Sequence, residues 1–133
     1  MTDEKEKNNS EQKERRFAKR FKVNETYISL RFLKKINWFK EFIGPYHVNN
    51  ISVSSVCFEC LEDFPAQREV EIKILSSNLQ SDLKLKGKII EKSTIMGNQN
   101  FIYIILFSPF GSGYKYNSMQ SKRKLTKFFD SLT

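Results

Sequence analysis

The sequence has little with which to build a catalytic or metal centre. It holds one histidine and two cysteines in 133 residues. Two cysteines are too few for a disulfide framework. They form a CxxC, Cys57-Phe58-Glu59-Cys60. With no second CxxC and His47 as the lone imidazole, a four-ligand zinc site lacks partners. On a strand, residues three apart point to opposite faces, so the two sulfurs diverge and a redox pair is not expected. Cys60 is expected in the core with Val56 and Phe58, and Cys57 on the other face. No P-loop, nucleophile elbow or glycine-rich dinucleotide loop occurs, and Gly111-Ser112-Gly113 is too short and too late to be one. His47 has no neighbouring nucleophile and orienting acid. The expectation is a protein that is not an enzyme and carries no cofactor or metal. Long apolar runs are also missing: none approaches the ~18 residues of a membrane span. The polar, charged N-terminus is unlike a secretory signal, so a soluble, cytoplasmic protein is expected.

What is present is a core and a positive charge. A hydrophobic fraction of 39% with 12 phenylalanines is enough for one packed domain. The formal net charge is +8, which favours anionic partners such as nucleotides, nucleic acid or acidic headgroups. Residues 1–14 read MTDEKEKNNSEQKE, with no apolar residue after Met1. They have nothing to bury and read as a disordered tail. Five acids and three lysines give this tail a net −2, so residues 15–133 carry +10. These form the single expected domain, including its N-terminal arm.

Periodicity suggests an all-β domain closed by a helix. Ile28, Leu30 and Phe32 alternate with Ser29 and Arg31, which predicts a strand over Thr26–Phe32. Gly44-Pro45 reads as a turn. From Tyr46 to Cys60 the alternation slips. Ile51 and Val53 hold odd positions and Val56, Phe58 and Cys60 even ones, so a bulge or tight turn is expected near Ser54-Ser55. Val70, Ile72 and Ile74 mark another strand, and Leu83 to Ile89 a further one. Met96 to Asn100 reads as a turn. Phe101–Phe107 (FIYIILF) is apolar on both faces and is expected to be the central, best-covered strand. Leu125, Phe128, Phe129 and Leu132 fall at i, i+3, i+4 and i+7, a helix stripe that Asn117 or Ser118 can cap. Four to six short strands followed by one helix suggest a small antiparallel barrel plugged by that helix. Ser121 to Lys124 with Lys127 reads as its solvated basic face.

Two constellations carry recognition chemistry. Arg16-Phe17-Ala18-Lys19-Arg20 is an RxxxR at the start of the folded region. Arginine presents a planar fork of donors that matches phosphate, matches the O6/N7 edge of guanine, and stacks on a base. Downstream, Asn50-Ile51-Ser52-Val53-Ser54-Ser55 places Asn50 and Ser52 in alternation with apolar residues. An amide and a hydroxyl there can read a base edge or hold a phosphate oxygen.

Taken together, an RxxxR arm followed about 30 residues later by [D/N]xSxxG, in a β-rich domain ending in a helix, resembles the PilZ family. The likeness runs roughly from Arg15 to Leu132. It implies a six-stranded antiparallel β-barrel with a C-terminal α-helix and a flexible N-terminal arm. It also implies a cyclic di-GMP site where the arm folds over the barrel rim. By this resemblance Arg16 and Arg20 bind the guanines and phosphodiesters, and Asn50 and Ser52 stand at the rim beside a guanine. Ser55 stands where the family pattern has glycine. A residue forced into the left-handed region there costs roughly 1–2 kcal/mol, about a tenfold loss of affinity.

The expected output is a changed contact with a protein partner, which the sequence does not identify. Two rival readings stand beside it. One is a degenerate adaptor of the same fold that binds protein and no nucleotide. The other is a basic barrel that binds single-stranded nucleic acid through stacking aromatics such as Phe17, Phe21, Tyr27 and Tyr103. The latter is less favoured, because periodicity puts several other aromatics inside. Trp38, Phe39 and Phe42 read either as an insertion over the barrel or as an exposed contact patch.

Overall fold

The computed structural model describes residues 21–23, 25–33, 41–79 and 81–132. The tail expected over residues 1–14 and the arm with Arg16 and Arg20 lie outside these, as do Trp38 and Phe39.

Seven strands form: β1 (Phe21–Lys22), β2 (Thr26–Phe32), β3 (Ile43–Ile51), β4 (Ser55–Cys60), β5 (Glu69–Ser76), β6 (Leu83–Thr94) and β7 (Phe101–Phe107). Helix α1 (Met119–Leu132) follows. Six of the strands close a ring. Neighbours run β3-β2-β5-β6-β7-β4, and β4 returns to β3, every pairing antiparallel. Closure gives each of the six ring strands a neighbour on both sides. The short β1 continues the line of β2 along β3.

Alternation fills the barrel from every wall. Ile28 and Leu30 of β2 point inward, as do Val48 and Ile51, Val56 and Phe58, Ile72 and Ile74, Leu83 and Leu85, and Tyr103 and Ile105. All of these are essentially inaccessible to solvent. Gly87 lies on β6 opposite Phe107 of β7. A Cβ on it would lie 2.6 Å from the Leu106 carbonyl oxygen and 2.7 Å from Ile105 Cγ2, so only glycine fits. The expected helix stripe seals the barrel, with Leu125, Phe128 and Phe129 buried and α1 packed against β6. Ser118 caps the helix, its hydroxyl accepting the Ser121 N–H at 3.1 Å.

Asn117 does something else. It is buried, and its Oδ1 accepts the Lys86 N–H at 2.7 Å. Its Nδ2 donates to the carbonyls of Lys86 (3.0 Å) and Ser108 (2.9 Å). One side chain thus ties the segment before α1 to β6 and to the exit of β7. Asn117→Ala leaves a buried N–H and a carbonyl without partners. It is expected to lower unfolding stability by about 2–4 kcal/mol, measured by urea denaturation.

The structure departs from the sequence-based expectation in three strands. Gly44-Pro45 is not a turn between strands but lies inside β3. Gly44 adopts φ 118°, and the β2–β3 register shifts between Ile28 and Leu30, so the kink is absorbed as a bulge. β6 runs on to Thr94 because its ladder with β7 continues to the Thr94/Phe101 pair, beyond the stretch where burial alternates. β7 is not covered on both faces. Ile102 and Ile104 are half-buried and Leu106 is exposed, since α1 packs on β6.

Candidate ligand-binding site

The phase slip read in the sequence is the turn of a β3–β4 hairpin. Ser52 builds it. Its backbone N–H donates to the Ser55 carbonyl at 2.8 Å, and its hydroxyl accepts the N–H groups of Ser54 (3.2 Å) and Ser55 (3.1 Å). The hydroxyls of Ser54 and Ser55 lie 3.2 and 3.3 Å from the same oxygen. Such serine-centred turns form because a short side chain can mimic the backbone acceptor. The turn is also fixed to the end of β7, where the Phe107 N–H donates to the Ser54 carbonyl at 2.8 Å.

This geometry assigns each described site residue a place. Ser52 is only 2% exposed, and its hydroxyl is committed to the turn. Asn50 is half-buried on β3, opposite Lys22 on one side and Cys57 on the other. Ser55 opens β4 and is half-buried. Among the described non-glycine residues, positive φ occurs at Glu25 (56°) and Gln67 (67°) and not at Ser55. The strain expected from serine in place of glycine is therefore absent at this position.

Pairing of β1 was not foreseen. Phe21 lies opposite Ile51 and Lys22 opposite Asn50. Val23 then turns into the core, and the left-handed Glu25 leads into β2. The backbone that leaves the arm is thus hydrogen-bonded alongside the Asn50–Ser52 segment. Two residues are too few for alternation to reveal. Arg16 and Arg20 lie outside the described residues.

The aromatics sort differently from the expectation. Tyr103 is fully buried, so it is no stacking platform. Its hydroxyl donates to the Glu62 carbonyl at 2.6 Å and accepts the Phe64 N–H at 2.7 Å. Tyr27 stays exposed, edge-on to His47 with ring centroids 6.0 Å apart. Phe42 is half-buried under the guanidinium of Arg31 (4.5 Å) and the ammonium of Lys73 (4.8 Å). The two cysteines alternate as expected, Cys60 buried and Cys57 half-buried.

Four groups away from the rim have their pKa values raised. Burial raises the Tyr46 phenol well above its usual range, and a hydrogen bond to the Glu62 carboxylate adds to it. Burial likewise pushes up the Cys60 thiol and the Tyr103 phenol. The Asp63 carboxylate, hydrogen-bonded to Lys92, raises that ammonium. Tyr46, Tyr103 and Cys60 therefore stay neutral near pH 7 and Lys92 stays charged. Among the described residues, no three of His, Cys, Asp and Glu cluster as metal ligands, and no helix is long and apolar enough to cross a membrane.

A solved structure, that of the Bacillus subtilis inhibitor of motility (MotI/DgrA), superposes with a TM-score of 0.60 over 84% of this chain and 48% of its own, at 9% identity. A tetrameric PilZ domain from Xanthomonas campestris, self-assembled through a helical bundle, matches at 13% identity with a TM-score of 0.49, over 72% of this chain and 49% of its own. The barrel thus shares its fold with the motility inhibitor. The chain spans about half the length of these two structures. No protein-family model and no curated protein matches the sequence. At such identities the likeness is one of architecture, and the site must be argued from this chain's own residues.

Proposed function

We propose that this PilZ-like barrel is a non-enzymatic receptor for cyclic di-GMP whose N-terminal arm closes over the ligand at the β3–β4 rim. The observation that carries the reading is the pairing of Phe21 and Lys22 with Ile51 and Asn50. A peptide bond joins Arg20 to Phe21, so in this reading the RxxxR meets the ligand beside the second motif. Cyclic di-GMP offers two phosphodiester charges and two guanines, which suit the forked cations of Arg16 and Arg20. In this reading Arg16 and Arg20 bind the guanines and phosphodiesters, and Asn50 reads a base edge with its amide. Ser52 acts through the turn, holding Ser54 and Ser55 at the rim. Ordering of the arm then changes the surface offered to a protein partner.

Calorimetric titration of the purified chain with cyclic di-GMP tests this. Saturable binding below about 10 µM is expected. No heat at ligand concentrations on the order of 100 µM overturns the reading and leaves a barrel that contacts protein alone. In the same experiment Ser55→Gly is expected to shift Kd by less than about threefold, because Ser55 has no left-handed strain to relieve. A tightening of about tenfold would instead mean that the Ser55 side chain itself obstructs the ligand.

A further inference from the structure

The segment between β7 and α1 is a rigid display loop. Asn117 anchors its end to β6 and Ser108, the Gly111 N–H donates to the Asn117 carbonyl (2.9 Å), and the Asn117 N–H donates to the Pro109 carbonyl (2.8 Å). Lys86 Nζ donates to the Tyr114 carbonyl at 2.7 Å, and Gly113 turns the chain with φ 103°. Phe110 packs against the core, while the loop holds its tyrosines outward: Tyr114 is 81% exposed and Tyr116 44%. Large aromatic side chains held out on ordered backbone lose little entropy on binding, which is why tyrosine concentrates at contact centres.

Tyr114 lines a depression of about 700 Å³, whose apolar lining includes Leu33, Leu106 and Pro109. Lys86, Lys88 and Lys115 also line it, and among the described residues Glu69 is its one acid. Tyr116 borders a second depression of about 210 Å³ that contains Lys84 and Lys86. The acid there, Glu71, is already engaged by Arg31. The first hollow thus has an apolar floor, and in both the lysines outnumber the carboxylates among the described residues. This charge balance selects against basic partners and favours acidic ones.

We propose that this face docks an acidic segment of a protein partner. An apolar side chain of that segment enters the depression lined by Tyr114, while its carboxylates meet Lys84, Lys88 and Lys115. The proposal does not require nucleotide binding, and its residues are separate from Arg16, Arg20, Asn50 and Ser52.

Selection of a random-peptide display library on the full chain tests it. Enriched peptides are expected to carry net negative charge around an aliphatic or aromatic residue. Measured by fluorescence anisotropy, a synthetic enriched peptide is expected to bind more weakly as salt is added, and about tenfold more weakly to Tyr114→Ala and to Lys88→Gln/Lys115→Gln. Lys122→Gln/Arg123→Gln on the exposed helix face serves as the charge-matched control and is expected to leave affinity unchanged. These substitutions are at exposed positions, and coincident thermal melts verify that each variant folds. No enrichment, enrichment of neutral or basic peptides, or an equal loss in the helix variant overturns the proposal. So does tighter binding of single-stranded DNA or phosphatidylglycerol vesicles through the same lysines.

Discussion

The double variant Arg16→Ala/Arg20→Ala is expected to bind cyclic di-GMP about two to four orders of magnitude more weakly than the parent chain. Each arginine hydrogen-bonded to a phosphodiester or a guanine edge contributes roughly 1.5–3 kcal/mol. Two such groups give about 3–6 kcal/mol if they act independently, and each 1.4 kcal/mol is tenfold. A solvated basic arm that only attracts the ligand through its field would contribute far less, since exposed ion pairs are worth roughly 0–1 kcal/mol. Calorimetry therefore separates a clamp from a field. Arg→Lys at both positions refines the result. Charge is kept and the planar fork is lost, so a clamp predicts an intermediate loss, while a field predicts none. Both arginines precede the six-stranded ring, and the thermal midpoint of the free variant is expected to match the parent. Binding retained within about threefold by the double alanine variant would remove the arm from the site.

How much of this was legible in the sequence depends on whether burial or pairing sets a feature. β2 was readable residue for residue over Thr26–Phe32, because its inner face is core and its outer face is not. The α1 stripe was readable for the same reason, with Leu125, Phe128 and Phe129 buried as the spacing required. Features set by backbone pairing leave no such trace. β1 is two residues of ladder against Ile51 and Asn50, and its existence depends on where β3 ends. The start of β3 runs through Gly44-Pro45, where turn chemistry serves a bulge instead. In β7, apolar residues on both faces suggested two-sided cover, yet the outer row Ile102, Ile104 and Leu106 remains partly open. Composition alone does not tell a covered face from an apolar surface.

The site shows the same division. The residue types at Asn50, Ser52 and Ser55 were visible, and so was the break in phase between Ile51 and Val56. The direction of the Ser52 hydroxyl was not, because two hydrogen bonds inside the turn decide it. Serine at the glycine position suggested backbone strain, but Ser55 already belongs to β4. Glu25 takes the left-handed conformation at the junction of β1 and β2. Tyr103 looked like a surface aromatic because polarity patterns do not report where a hydroxyl finds partners. Buried hydrogen bonds to Glu62 and Phe64 make it a core residue.

That aromatic core carries the largest single effect on stability. Phe58 is fully buried, stacked on Tyr103 at 5.3 Å and on Tyr46 at 5.8 Å between ring centroids. Phe64 meets Tyr46 edge-on at 5.9 Å and lies tilted against Tyr103 at 5.4 Å. Phe58→Ala removes the middle of this stack and leaves a cavity enclosed by the barrel wall. Closed strands cannot collapse inward without breaking ladders on both sides, so the cost is expected near the upper end of about 3–5 kcal/mol. Urea denaturation should show the midpoint falling with the slope unchanged, since the same surface is exposed on unfolding. Phe58→Leu keeps most of the volume and is expected to cost about 1.5 kcal/mol or less. Equal losses in the two variants would show that the ring itself, not the filled space, is what the core requires. The deficit also gives a second reading of ligand binding. Cyclic di-GMP at 100 times its Kd should return about 2.7 kcal/mol to Phe58→Ala, provided the rim is intact in the folded variant. Phe58 pairs with Val48 two residues before Asn50, so a smaller return would mean that the core stack also sets the shape of the rim.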